Sequence, residues 1–432
     1  MGISNLIFLV LFISAFVLFG LKIKSIVRNI KLGRDLDRSD NFADRVKLTL
    51  LVAIGQSKMV VRPVSGIMHI LIYVGFVIMN IELLEIVIDG IAGTHRIFAF
   101  LGGFYNFVIG TFEFLGLGVL TACVVFLIRR NIIKLKRFWS AEMTSWPRSD
   151  ANLILTIEIF LMTAFFTMNA TDQVLQARGV EHYVHAGWYP ISQYYSALFT
   201  GFSSETLIMI ERFVWWFHIC GILFFLNYVP YSKHFHILLA FPNVFYSNLN
   251  AKGKFTNMES VTNEVKLMFD PSATPPPADG APVKFGAKDV QDLSWVQLMN
   301  AYSCTECGRC TSNCPANITG KKLSPRKIMM DTRDRLEEVG KNLDKNTPDT
   351  KSLLHDYITP EELWACTSCN ACVEACPINI DPLSIIVDLR RNLVMEESNA
   401  PAALAGMFTN VENNGAPWQF AQADRLNWAN EA

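Results

Sequence analysis

Eight of the ten cysteines fall in two runs, Cys304-Thr-Glu-Cys307-Gly-Arg-Cys310-Thr-Ser-Asn-Cys314-Pro and Cys366-Thr-Ser-Cys369-Asn-Ala-Cys372-Val-Glu-Ala-Cys376-Pro. Both have the spacing C-x2-C-x2-C-x3-C-P. Three thiolates two residues apart can wrap three corners of a 4Fe–4S cubane, and the fourth corner must come from elsewhere. Structural zinc takes four ligands per site, often from C-x2-C pairs, and does not call for a three-plus-one run followed by Pro, twice. A disulfide framework would need an oxidising compartment. Cys123 and Cys220 sit singly in apolar runs, where a free cysteine packs as a small hydrophobe.

The doubled run resembles that of two-cluster ferredoxins, in which the last Cys of each motif ligates the other cluster. This resemblance implies cluster one on Cys304, Cys307, Cys310 and Cys376, and cluster two on Cys366, Cys369, Cys372 and Cys314. The motifs stand 52 residues apart from Cys314 to Cys366, with helical patterning between them. Over roughly 290–395 the chain therefore resembles the all-helical ferredoxin region of heterodisulfide reductase C subunits and of succinate dehydrogenase iron–sulfur subunits.

Histidines in apolar surroundings form the second candidate site. His218 and His236 are 18 residues apart. On a continuous helix they would share a face about 27 Å apart. His234 would point to another side, and Pro230 is placed to kink the helix. A histidine in a membrane segment is a functional candidate by default, and haem iron is a natural partner for imidazoles held between helices. His69 is expected at the depth of His236. The stretch from His218 through Pro230-Tyr-Ser-Lys-His-Phe-His236 resembles the last helix of the nitrate reductase gamma-subunit family of dihaem cytochromes b, a likeness covering about 1–245. It implies that His69 and His236 bind an inner b-type haem and that His218 binds an outer one. The family's second histidine on the second helix is replaced here by Met79. Met79 is then one candidate outer ligand, with His95, His182 and His185 as substitutes, or else there is no outer haem.

The elements that must position these residues follow from hydropathy. Of the 432 residues, 51% are hydrophobic and 18% charged, against about 25% charged in soluble domains. A net charge of -1 gives no pull toward nucleic acid. Five apolar segments, near 5–23, 64–90, 100–128, 151–170 and 206–229, are long enough to cross a bilayer, which takes about 20 residues. The first begins without a basic leader or cleavage site and reads as a retained helix. Ten Lys and Arg lie between Lys22 and Arg62 and six between Arg129 and Arg148, whereas the 91–99 and 170–205 loops hold only Arg96 and Arg178. The positive-inside rule then puts the N-terminus outside and the cysteines in the cytoplasm of a bacterial inner membrane. Glu82, Glu85 and Asp89 are expected at the wet outer end of the second segment. The aromatic 170–205 loop is expected along the outer interface as a short amphipathic helix.

The expected fold is all-α: a five-helix transmembrane bundle, N-out and C-in, followed by an α-helical two-cluster ferredoxin. The divisions are 1–245 for a cytochrome b-like membrane domain, 246–290 for a linker and 291–397 for the cluster domain. Residues 398–432 form a tail without periodicity. Pro271-Ser-Ala-Thr-Pro-Pro-Pro reads as a semi-rigid spacer. Residues 291–302, 324–346 and 351–365 read as helices.

As a whole the chain resembles membrane iron–sulfur proteins related to heterodisulfide reductase and to electron-transfer-flavoprotein:quinone oxidoreductases of the cytochrome b type. Leu293-Ser-Trp-Val-Gln-Leu-Met-Asn-Ala-Tyr-Ser-Cys304 is characteristic of them. Many members carry a further cysteine-rich CCG domain; no CCG motif occurs here. The resemblance implies a separate CCG iron–sulfur subunit as partner, docked by Trp418, Phe420 and Trp428. It also implies an oxidoreductase subunit passing electrons from a flavoprotein through the clusters and haem to menaquinone. The quinone is expected near the outer ends of the second, third and fifth segments, where Glu82, Glu85 or Glu113 could handle its proton, although a solvated helix end is the simpler reading of each acid. Two rivals stand beside this: quinol oxidation serving a cytoplasmic disulfide or sulfur-compound reductase, and a membrane anchor or assembly subunit.

Overall fold

A computed structural model describes residues 2–270, 272 and 284–430. The Pro-rich spacer read at 271–277 lies, Ser272 apart, outside the described residues. Among these the chain is helical without a β-strand. Five helices are long and apolar enough to cross a membrane: α1 (Ile3–Ile30), α2 (Pro63–Ala92), α3 (Gly103–Leu127), α4 (Trp146–Ala177) and α5 (Ser204–Tyr228). Local chemistry sets their ends. Pro63 opens α2 where the missing N–H costs nothing, and Gly93, at φ +77°, closes it by donating its N–H to the Asp89 carbonyl. Ser203 caps α5 by accepting from the Thr206 N–H. The outward faces of α1 and α2 leave Ile3, Leu6, Val10, Phe16, Leu18, Val77 and Ile81 exposed, a surface suited to lipid.

The fifth expected helix does not run through to His236. It ends at Tyr228, two 3₁₀ turns follow, and a new helix α6 (His236–Phe245) begins at the histidine. Pro230 lacks the N–H that would continue the ladder. Ser232 then accepts from the His234 N–H, and Asp150 of α4 accepts from the Lys233 N–H. The shared-face argument from an 18-residue spacing is therefore superseded: the turn sets where His236 points.

The cysteine segment packs on the bundle end formed by the C-termini of α1 and α5 and the start of α4. One apolar core joins Ile26 and Ile30, Ile154, Phe225 and Val229 to Leu298, Ile328, Leu336 and Leu389. The helices there are α7 (Trp295–Ser303), α8 (Pro325–Lys345) and α9 (Pro382–Met395). A reciprocal capping box between Ser294 and Gln297 starts α7, and Ser324 with Pro325 starts α8. Gly340 of α8 has no room for a Cβ against Asn29 of α1, whose amide donates to the Tyr302 hydroxyl, which donates to Glu337. The 351–365 stretch is two short pieces, Leu353–Asp356 and Pro360–Trp364, rather than one helix. The tail contains a helix, α10 (Ala402–Asn414), that lack of periodicity did not predict.

Candidate functional site

Each cysteine motif forms the same loop. Glu306 and Gly308 in the first, and Ser368 and Asn370 in the second, have positive φ at matching offsets from the leading cysteine. Left-handed residues turn successive backbone N–H groups inward, a geometry that favours anionic groups. Short helices Arg309–Ser312 and Ala371–Ala375 follow and pack on each other. Cys304, Cys307, Cys310 and Cys376 line one cavity, walled by Met329, Ile378 and Ile380. On the other side Cys314 and Cys369 stand close enough to Cys366 to act on its thiol electrostatically, and Cys314 acts likewise on Cys372. Burial raises the thiols, Cys304 to about 12 and Cys376 to about 11, so holding four thiolates in this cavity requires cationic metal. Backbone N–H groups of Ser368 and Ile380 donate to Cys366 Sγ and Cys376 Sγ at 3.4 and 3.3 Å. Among the described residues no three His, Cys, Asp or Glu side chains converge on a point as a single metal ion would need. The thiols surround a space, which fits a cubane better than zinc.

Glu306, inside the first motif, is 3% exposed. Lys233 Nζ and Arg333 of α8 meet its carboxylate at 2.5 and 2.9 Å. Burial acts against ionisation, but the two cations hold the carboxyl below its usual range. Lys233 belongs to the turn that presents His236, so this pair joins the two candidate sites. Sequence reading passed over both residues; an acid within a cysteine motif and a Lys between two histidines were the available signals. Glu306→Ala would remove the close buried carboxylate shared by Lys233 and Arg333, leaving Lys233 the longer contact to Asp150 at 3.9 Å and Arg333 the exposed Asp334. Its expected cost is about 3–5 kcal/mol, measured as an earlier denaturant midpoint for loss of visible absorbance.

The histidines come together as far as the inner pair. The rings of His69 and His236 have centroids 6.3 Å apart. Two imidazoles on opposite sides of one iron stand roughly 6 Å apart, with metal–nitrogen bonds of about 2.0 Å. His236 Nδ1 donates to the Lys233 carbonyl at 3.0 Å, which leaves Nε2 a lone pair and fixes the ring, the usual support for a metal-bound histidine. His69 Nδ1 is buried without a hydrogen-bond partner among the described residues. His234, expected to face elsewhere, lies edge-on to His236 at 5.5 Å, and burial lowers it to about 3, so it is a neutral ring in the same layer. His218 Nδ1 donates to the Leu161 carbonyl at 3.1 Å, again freeing Nε2. Met79 packs in the apolar layer that contains Leu161 and Met162, which borders His218. The rings of His95 and His182 lie tilted against each other with centroids 5.4 Å apart, and His185 is exposed. Among the described residues no hydrogen bond or ring contact joins these three to His218.

At the bundle end remote from the cysteines, the acids depart from expectation. Glu82, Glu85 and Glu113 are 5%, 4% and 0% exposed. They are not solvated helix ends. Arg96 reaches Asp172 at 2.6 Å, Asn169 at 2.9 Å and the Tyr105 hydroxyl at 3.1 Å; Tyr105 donates to Glu85. Glu113 accepts from Asn169 and from the Ile191 and Ser192 N–H groups. The aromatic loop is therefore drawn into the bundle mouth: Tyr183 and Tyr189 are buried, while Trp188, Tyr194 and Tyr195 stay exposed. Gly110 of α3 admits Trp188, whose ring occupies the space a Cβ would need. A cavity remains among Glu82, His95, Arg96, Asp172, Glu211 and Trp215. His95 Nδ1 is buried there without a partner.

Comparison with known proteins agrees with the cysteine site. Residues 303–380 match the 4Fe-4S dicluster domain family. The chain is 28% identical to a probable iron-sulfur-binding oxidoreductase, FadF, of Bacillus subtilis, over 99% of this chain and 61% of that protein. It is also 28% identical to the EtfAB:quinone oxidoreductase of Syntrophomonas wolfei, over 92% of this chain and 55% of that one. One subunit of the dihydromethanophenazine:CoB--CoM heterodisulfide reductase from Methanosarcina mazei is 31% identical over 32% of this chain and 35% of its own. The chain thus spans a little over half the length of its first two relatives. No solved structure matches it. These likenesses are to iron–sulfur oxidoreductases and their subunits, and five helices of the chain are long and apolar enough to cross a membrane.

Proposed function

We propose that the chain carries electrons between a soluble redox partner and membrane quinone, with one 4Fe–4S cluster on Cys304, Cys307, Cys310 and Cys376 and another on Cys366, Cys369, Cys372 and Cys314. The carrying observation is the cavity ringed by Cys304, Cys307, Cys310 and Cys376 and linked through Glu306 and Lys233 to the turn that bears His236. His69 and His236 fit a b-type haem; His218 and Met79 border a second such position. When bound, clusters and haem supply one-electron carriers whose potentials follow ligand type and burial. The protein's share is placement. Lys233 orients His236 through its carbonyl and the first cysteine loop through its ammonium group. The basic loops support a cytoplasmic position for the cysteines.

We place the quinone headgroup at the far end of the bundle, about 20 Å along α2 from His69 at 1.5 Å per residue, beside a cavity of about 30 Å³ that is large enough for water rather than for the ring. Glu82 lines this cavity with no hydrogen-bond partner among the described residues and is free to hold a proton there. The soluble partner is proposed to be a CCG-type iron–sulfur subunit served by a flavoprotein, reached by the exposed Trp418, Phe420 and Trp428. The likeness to a heterodisulfide reductase subunit favours the reverse direction as a second reading.

Anaerobic mixing of the purified chain with a menaquinol analogue tests the proposal. Bleaching of cluster absorbance and growth of split b-type haem bands are expected. No response to any quinol analogue or reduced flavoprotein would leave only an anchor or assembly role. Glu82→Gln is expected to slow quinone-linked turnover by about 10² with spectra unchanged. Deleting residues 410–432 is expected to weaken partner binding at least tenfold in a pull-down titration; unchanged affinity would remove the docking role.

A further inference from the structure

Where the membrane bundle meets the cysteine segment there is a basic pocket that the electron-transfer reading does not use. It lies between the N-terminus of α2 and the end of the α3 span, and Arg62, Ser65, Arg129, Lys136 and Arg137 line it. No carboxylate does. None of the four cations takes part in an ion pair among the described residues, although most buried charges in this chain are paired. Arg62 reaches only Ser312 Oγ, at 2.9 Å, and Arg129 only Ser65 Oγ, at 3.5 Å. Arg137 Nε is buried with no hydrogen-bond acceptor among the described residues, its guanidinium lying over the Phe138 ring at 4.8 Å. Arg137 faces Cys307 of the first motif, but Arg62, Arg129 and Lys136 have no acidic partner among the described residues. The first turn of α2 also points its free N–H groups toward this end, which adds positive potential.

The surroundings say what kind of anion. Val61, Val64, Ile132 and Ile133 are exposed beside the cations, at the level where two spanning helices leave the apolar layer. A charged head and an apolar tail would both be covered there; an acidic protein surface would leave these four side chains unmatched. Basic pockets between membrane helices at such a level suit anionic lipid headgroups.

We propose that this pocket binds the phosphate of an anionic phospholipid, whose acyl chains lie over Val61, Val64 and Ile132. The bound headgroup would also fasten the joint between membrane and cluster segments. Arg62 bridges to Ser312 within the first motif, Arg309 donates to the Lys58 and Met59 carbonyls, and the Arg137 carbonyl accepts from Arg326.

Native mass spectrometry of the full chain released from detergent tests this, with phosphatidylglycerol, phosphatidylcholine and inorganic phosphate as probes. Phosphatidylglycerol is expected to be retained at least tenfold more than phosphatidylcholine. The triple variant Arg62→Gln, Arg129→Gln, Arg137→Gln should lose that preference with its cluster absorbance intact. Should the triple variant fail to fold, the exposed Lys136→Glu alone is expected to cut retention severalfold. A control triple, Lys24→Gln, Lys31→Gln and Lys47→Gln, removes equal charge elsewhere and should change nothing. Equal retention of the two lipids, or equal loss in the control, would overturn the site. Displacement of the lipid by millimolar inorganic phosphate would assign the pocket to free phosphate and overturn the lipid reading.

Discussion

Alanine at Cys376 is expected to abolish the cluster of the first motif, not that of its own. The reason is spatial. Cys376 opens into the cavity of Cys304, Cys307 and Cys310, whereas Cys314 bears on Cys366 and Cys372 across 52 residues of chain. Single variants cannot distinguish crossed from uncrossed ligation, because each leaves one cluster, and about eight irons per chain fall to about four either way. Pairs can. With crossed ligands, Cys376→Ala plus Cys307→Ala strike one cluster twice and leave about four irons, while Cys376→Ala plus Cys369→Ala strike both and leave close to none. Uncrossed ligation gives the opposite result. Analysis of non-haem iron, which leaves any haem iron uncounted, reads the outcome together with the reduced-state electron spin resonance intensity. The loss is near total because a methyl group cannot replace the missing thiolate, and loops held by four positive-φ residues have little freedom to recruit another ligand.

The legible and illegible parts of this protein separate by range. Membrane helices announce themselves within about 20 residues, and each cysteine motif lies within a single short stretch of chain, so both are read from local pattern. The acids of α2 show the limit. Glu82 and Glu85 near the end of an apolar run look identical whether water or a buried arginine awaits them. What decides is Arg96 in the next loop with Tyr105 and Asp172 on two other helices, and no window on α2 contains them. Arg96 itself looked like the lone charge of an outer loop, and counting it as such served the orientation argument while hiding its contacts. The inner histidines lie between these cases. Their pairing was legible through resemblance, but the route was not: Pro230 ends the helix, and Ser232 and Asp150 rebuild the turn that aims His236. The tail helix α10 was missed because it has no buried residue, hence no apolar stripe to betray its period.

The proposed haem positions yield the second large effect. His69→Leu and His236→Leu are each expected to remove the same b-type spectrum, since the two rings face one another across 6.3 Å and a single imidazole cannot complete the pair. His236→Gly with added imidazole should restore it, because Lys233 still supplies the carbonyl that orients the ring; a purely structural histidine would show no such rescue. His218→Leu should leave that spectrum intact and remove any second one. Met79 then decides what the second one is. Met/His ligation raises a haem potential relative to paired histidines, and axial ligands span roughly 0.8 V. Met79→His is therefore expected to lower the second potential by on the order of 100 mV while the haem count stays the same. Both outcomes come from one redox titration. A second haem that keeps its potential in Met79→His would exclude Met79 as ligand. A single haem in the unaltered protein, unaffected by His218→Leu, would leave His218 as a buried ring tied to the Leu161 carbonyl and shorten the proposed relay to its inner half.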